Sequence, residues 1–94
     1  MEESSLPDLQ DFVLYKSALC GFCYRVTHFL QRQGIDIQVR DIGTDTGASE
    51  ELGSGGGRLT VPCLRIEQGD GSVHWMYESL DIVNYLTQWQ NAQT

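Results

Sequence analysis

Apolar residues in this chain fall into short blocks whose period changes from block to block. Residues 11–16 hold the unbroken run Phe12-Val13-Leu14-Tyr15, and a run of that length suits a strand buried on both faces. Ser17-Ala18-Leu19 then reads as a loop. Val26, Phe29, Leu30 and Gln33 recur at helical spacing and Gly34 is a good stop, which predicts a helix over 21–33. Ile35 to Arg40 alternates apolar and polar, the signature of a strand. A strand, a helix and a strand in such quick succession form a βαβ unit, so the two strands are expected to be parallel.

The second half is punctuated by glycine and proline. Asp45 to Leu52 fits a short helix with Ala48 and Leu52 inward, and Gly53-Ser54-Gly55-Gly56-Gly57 reads as a flexible, tolerant surface loop. No Lys-Ser/Thr pair follows the last of these glycines, so the stretch is not a phosphate-binding loop of the Walker type. Leu59 to Ile66 is strand-like, with Pro62 at the first residue or at a bend because proline cannot donate to a ladder. The turn 68–72 leads into a strand over 72–77 with Val73, Trp75 and Tyr77 on one face, completing an antiparallel hairpin. Ser79 is the expected cap of a last helix. Asp81 lies in its first turn, Ile82, Val83, Leu86 and either Trp89 or Gln90 form its buried stripe, and fraying is expected from Asn91. The order βαβ, short helix, ββα predicts an α/β architecture: a four-stranded mixed β-sheet flanked by about three α-helices. Residues 1–10 read as a mobile lead-in, and 1–94 as a single domain.

Composition narrows the function. The chain has 94 residues, 40% apolar and 20% charged, ordinary for a globular domain. A formal net charge of −7 disfavours nucleic acid and anionic membranes as partners. No apolar run reaches bilayer length, and the N-terminus lacks the basic and apolar regions of a secretory signal. A cytoplasmic location is therefore expected. Three cysteines, an odd number, argue against a secreted disulfide framework.

The candidate chemistry lies at Cys20-Gly21-Phe22-Cys23, where the first strand should end and the first helix begin. Unpaired N–H groups and the positive end of the helix dipole favour an anion there, and the thiolate is the reactive form of cysteine. Cys20 falls at or just outside the first turn, and Cys23 follows three residues later on the same face, within reach of a disulfide. The competing reading is half of a zinc site. Zinc wants four ligands, and Cys63, His28 and His74 show no matching spacing, so the redox reading is preferred and no metal is assigned. Cys63 reads as a small buried core residue. Neither histidine is given a role.

Three separated motifs make the chain resemble a glutaredoxin of the thioredoxin fold. They are Cys20-Gly21-Phe22-Cys23 after a strand, Thr60-Val61-Pro62, and Glu78-Ser79-Leu80-Asp81-Ile82-Val83-Asn84-Tyr85-Leu86. The last is similar to a segment of the glutathione-binding domains of glutathione transferases and transferase-like glutaredoxins. Two departures stand out: Gly21 occupies a position often held by proline, and Tyr77-Glu78 with Leu80 replaces the usual Gly-Gly-x-Asp turn. The resemblance implies a cis bond before Pro62, facing the active-site sulfur. It implies a glutathione groove in which Val61 pairs with the cysteinyl backbone, Ser79 holds the γ-glutamyl carboxylate and Glu78 meets its α-amino group. Phe22 forms a side wall, and Lys16 and Arg58 are candidates for the glycyl carboxylate.

The implied activity is glutathione-dependent thiol–disulfide exchange, with Cys20 attacking and Cys23 resolving. Its partners are glutathione and glutathionylated or disulfide-bearing proteins, and the chain is expected to be a monomer. The alternative is a carrier of a [2Fe–2S] cluster, shared by two chains through Cys20 and glutathione, which Gly21 keeps open. A third reading, the glutathione-binding half of a transferase, is disfavoured because the sequence ends soon after Trp89.

Overall fold

The computed structural model describes residues 6–93; the first five residues of the expected lead-in lie outside the described residues. The elements are β1 (Phe12–Lys16), α1 (Gly21–Gln33), β2 (Gln38–Asp41), α2 (Thr46–Glu51), β3 (Cys63–Glu67), β4 (Val73–Met76) and α3 (Ser79–Ala92). The sheet runs β2-β1-β3-β4. β1 pairs parallel with β2, Leu14 opposite Val39, and antiparallel with β3, Leu14 opposite Leu64. β3 and β4 form the antiparallel hairpin, Ile66 opposite His74. The architecture is the expected mixed four-stranded sheet with three α-helices.

The apolar run in β1 is continuous because both faces of this strand are covered. Phe12 and Leu14 join Val26, Leu30, Leu64, Ile66, Ile82 and Leu86 in a core between the sheet and helices α1 and α3. Val13 and Tyr15 point the other way, into a smaller cluster with Ala48, Leu52 and Cys63 beneath α2. Alternate residues of a strand face opposite sides, so one strand anchors two cores. Phe12 also meets Trp89 edge-on at 5.2 Å between centroids. Trp89 Nε1 in turn donates to the Pro7 carbonyl at 2.7 Å. Residues 9–11 form a single 3-10 turn, so the described end of the lead-in is docked on α3.

Some element boundaries differ from expectation. β2 starts at Gln38 rather than Ile35. Gly34 adopts φ +68° and closes α1, and the Ile35 N–H is spent on the Leu30 carbonyl at 3.0 Å. The alternation of Ile35 and Ile37 is real, since both are buried in the larger core, but ladder pairing begins only once the chain reaches β1. α3 continues to Ala92, past the expected fraying point.

The glycine-rich stretch is also not a loose loop. Leu52–Gly56 forms one wide helical turn extending α2. A methyl group on Gly55 would stand 2.5 Å from Trp75 Cζ2, and one on Gly56 would collide with the Tyr77 hydroxyl. The glycines are there because backbone must pass against two aromatic rings. The same region is tied to the sheet by charge. Arg40 Nε bonds Asp45 at 3.1 Å, Arg40 Nη1 bonds Glu51, and the Tyr15 hydroxyl donates to Glu51 at 2.8 Å. The Arg40 guanidinium, helped by Tyr15, holds the Glu51 carboxyl below the usual carboxylate range.

Gly55→Ala is expected to destabilise the fold by about 1–3 kcal/mol, the usual cost of overpacking. Gly21→Ala meets nothing within 4 Å and is expected to be neutral or to stabilise by about 0.4–1 kcal/mol through the unfolded state. Urea denaturation of the two variants checks this; equal effects would show that Gly53–Gly57 is the tolerant loop its composition suggests.

Candidate functional site

The site grows from the junction of β1 and α1. Cys20 is the N-cap residue of α1, with extended backbone at φ −128°, ψ 109°. Its carbonyl accepts the first helical bond, from Tyr24 N–H at 3.0 Å. Its Sγ takes the role an oxygen usually has at this position and accepts the Cys23 N–H at 3.1 Å. A backbone donor of the first turn is thus aimed at the Cys20 sulfur. The Cys20 thiol also lies 3.9 Å from the Val61 carbonyl oxygen, toward which it donates. The Val61–Pro62 bond is cis, as the resemblance implied. Pro62 precedes β3 directly, so the first residue of that strand is Cys63 rather than the proline.

The three sulfurs have different surroundings. Cys20 is half-buried, Cys23 is 2% exposed and Cys63 is fully buried. Burial pushes the Cys23 thiol up to about 12; contact with Cys20 adds to this, and a backbone hydrogen bond at Ser17 opposes it. Burial also pushes Cys63 up to about 12, against the opposing influence of the Tyr77 hydroxyl and Arg58. At neutral pH Cys23 is therefore held as a thiol, and Cys20 is the most exposed of the three sulfurs.

Beside Cys20 lies a groove of about 230 Å³ lined by Phe22, Arg25, Thr60, Val61, Pro62, Tyr77, Glu78, Ser79 and Leu80. It draws together three stretches far apart in sequence: the first turns of α1, the loop before β3 and the start of α3. Five of the expected ligand residues, Phe22, Val61, Pro62, Glu78 and Ser79, share this groove. Lys16 does not. It lines a separate cavity of about 150 Å³ with Ser17, Cys20, Cys23 and Tyr24, and its Nζ pairs with Asp41 at 3.5 Å. Arg58 stacks its guanidinium 4.3 Å from the centroid of the Tyr77 ring, and Tyr77 lines the groove.

Ser79 is not the helix cap expected of it. Glu78 occupies the N-cap with extended backbone, and its carbonyl accepts Ile82 N–H at 2.9 Å. No side chain of the cap closes over the first-turn N–H groups. Ser79 is the first helical residue, 7% exposed, and its Oγ accepts from Arg25 Nη1 at 3.4 Å.

Sequence reasoning missed Arg25, Thr60, Tyr77 and Leu80 as groove residues. The signal for Arg25 was present: it follows Phe22 by three residues, so the two share a helix face. The guanidinium indeed lies 5.6 Å from the Phe22 ring centroid. Among the described residues no group of three or more His, Cys, Asp or Glu side chains is placed to hold a metal ion. No helix of the described residues is long and apolar enough to cross a membrane.

Comparison with known proteins accords with this geometry. The family model described as Glutaredoxin matches residues 12–70. No curated protein matches the sequence. Among solved structures, the holo form of glutaredoxin C1 from Populus tremula x tremuloides superposes with TM-score 0.63 at 24% identity, covering 93% of this chain and 90% of that one. A thioredoxin-like protein superposes at TM-score 0.63 and 22% identity over 83% of this chain and 97% of its own. Both show the thioredoxin-like fold. A trimeric glutathione transferase from Leishmania superposes at TM-score 0.62 and 29% identity over 80% of this chain but only 17% of its own length.

Burial of Cys23, Cys63 and Tyr15 has a consequence for stability. All three are pushed up to about 12 in the fold, whereas unfolded cysteine and tyrosine ionise near ~8.5 and ~10. A raised value favours the fold fully below the unfolded value, and the contribution is lost as pH rises toward the folded one. The urea midpoint is expected to fall as pH rises beyond about 9, and to fall less steeply in Cys63→Val. An identical slope in that variant would remove Cys63 from the account.

Proposed function

We propose that this chain, which belongs to the glutaredoxin family of thiol oxidoreductases, reduces mixed disulfides between glutathione and proteins, using glutathione as electron donor. The observation that carries the reading is the half-buried Cys20 sulfur, held at a helix start by a backbone N–H and set beside the groove through its contact with Val61. The likeness to a glutathione transferase supports glutathione as the occupant.

In the proposed reaction the glutathionyl part of the substrate lies along the groove. The Val61 backbone pairs with its cysteinyl unit, Phe22 and Pro62 wall it in, and Ser79 and Glu78 take its γ-glutamyl end. Arg58, and Lys16 across in the second cavity, are the cations available to its glycyl carboxylate. The Cys20 thiolate attacks the glutathione sulfur; a Cys20–glutathione disulfide forms, and the protein sulfur leaves as thiolate and takes up a proton. A second glutathione, as thiolate, then attacks the glutathione sulfur of this intermediate. Oxidised glutathione, made of this second glutathione and the substrate's own glutathionyl unit, leaves and the Cys20 thiolate is restored, so each turnover consumes one free glutathione and reduces one protein–glutathione disulfide. On the second route Cys23 attacks Cys20 and expels glutathione, leaving a Cys20–Cys23 disulfide. Burial of Cys23 as a thiol weakens that route near neutral pH, because the thiolate is the nucleophile. We place this activity in the cytoplasm, where thiols are kept reduced.

One observation favours a second reading. The space beside Gly21 is open, so a second chain could approach Cys20. Cys20 and glutathione from each of two chains could then ligate a [2Fe–2S] cluster. Purification without air from iron-rich cells decides between them: a brown dimer favours the cluster, a colourless active monomer the exchange reaction.

With a glutathionylated peptide as substrate, Cys20→Ser is expected to lose at least about 10³-fold in kcat/KM, because the nucleophile is gone. Cys23→Ser is expected to keep most of its turnover. Comparable losses in both variants would overturn the one-thiol route, and survival of activity in Cys20→Ser would overturn the proposed function.

A further inference from the structure

A second hollow, of about 470 Å³, lies on the α2 side of the sheet and shares no lining residue with the groove beside Cys20. Its floor is one rung across all four strands. Gln38 of β2 stands opposite Val13 of β1, Val13 opposite Arg65 of β3, and Arg65 opposite Trp75 of β4. The end of α2 and the glycine turn supply a wall, at Glu51 and Gly55. Two guanidiniums, Arg40 and Arg65, and one carboxylate, Glu51, line the hollow. Their partners are unequal. Glu51 accepts from the Tyr15 hydroxyl and from Arg40, and the Arg40 Nε is taken by Asp45 at 3.1 Å. Arg65 is held more loosely. Its ion pair with Glu67 is 3.5 Å long, and the Glu67 side chain is 50% exposed. Its guanidinium stands 5.7 Å from the centroid of the Trp75 ring. An exposed pair of this kind contributes little to stability, so Arg65 can exchange Glu67 for another carboxylate at small cost.

We propose that this hollow is a second binding site, for a small flat aromatic carboxylic acid: the ring lies over Val13 and against Trp75, and the carboxylate replaces Glu67 on Arg65. The inference does not depend on what occupies the groove beside Cys20. A hollow of about 470 Å³ falls within the roughly 300–1,000 Å³ of small-molecule sites, which combine apolar surface with a few polar groups. Arginine offers planar, paired donors that match a carboxylate. The half-buried Trp75 ring offers a π-surface for an aromatic ligand. The Gln38 amide, across Val13 from Arg65, is a further donor. A cationic ligand fits less well, because Glu51 already accepts two donors. The opposing account gives the arginines a covering role only. Val13 is 8% exposed, and long basic side chains lay their stems on apolar surface while their heads stay in water.

The test is an NMR titration of the isotope-labelled full chain with benzoate and, separately, with benzamide, which has the same ring and no charge. Benzoate is expected to shift the Trp75 indole N–H and the Gln38 side-chain amide saturably and to leave the Trp89 indole in place. It is expected to bind about tenfold more tightly than benzamide, the worth of one hydrogen bond to a charged group. Arg65→Gln is expected to weaken benzoate about tenfold and leave benzamide unchanged, and Arg65→Lys to recover part of the loss. Turnover of a glutathionylated peptide is expected to stay at the wild-type level in both variants, since Arg65 lines neither cavity that adjoins Cys20. No saturable shift at Trp75, or equal binding of acid and amide, overturns the proposal on the wild-type chain alone, whether or not the variants fold. Full benzoate affinity in Arg65→Gln removes Arg65 as the reader and overturns it as well. Equal weakening of both ligands would mean that the arginine only shapes the floor over Val13, which also overturns it.

Discussion

The hydrogen bond from the Cys23 N–H to the Cys20 sulfur is the contact on which the site depends. It exists because the chain leaves a strand in extended backbone and enters a helix within one residue, so that the helix start points unsatisfied donors at whatever side chain occupies the cap. β1 holds that junction in place by being buried on both faces. Phe12 and Leu14 secure it against α1 and α3, and Val13 and Tyr15 secure it against α2. A strand with only one covered face would leave the cap free to shift relative to the loop carrying Val61.

The same geometry separates the roles of two cysteines three residues apart. One sits outside the first turn and faces solvent and Val61; the other sits inside it and faces the core. Burial keeps the second protonated, while the first remains partly exposed. The helix start thus converts a symmetric sequence motif into an asymmetric pair, one sulfur partly exposed and one buried.

The groove answers a similar question for charge. The chain carries a net charge of −7, yet Arg25 lines the groove and Arg58 lies over the ring of one of its walls. Local placement, and not the overall balance, decides which charges stand at the groove. The glycine-rich turn after α2 contributes indirectly. It lets backbone lie against Trp75 and Tyr77, and Tyr77 is a wall of the groove.

The sequence by itself determined what is periodic or covalently local. The four-residue apolar run of β1, the 3.6-residue spacing of α1, the hairpin turn and the cysteine spacing each depend on neighbours a few residues away, and all are present in the structure. Ala48 and Leu52 face inward as their spacing implied. Tertiary structure alone decided what depends on residues distant in the chain. The start of β2 depended on where the chain met β1, and Ser79 lost its capping role to Glu78 because Ile82 bonded back to residue 78. Composition suggested that Gly53–Gly57 was loose, but Trp75 and Tyr77, some twenty residues on, turned it into a packed turn. The pairing of Arg25 with Ser79 likewise spans 54 positions. A sequence pattern records which residues can face one another along an element. Which groups are left without a partner in a shared groove is settled only when the elements pack.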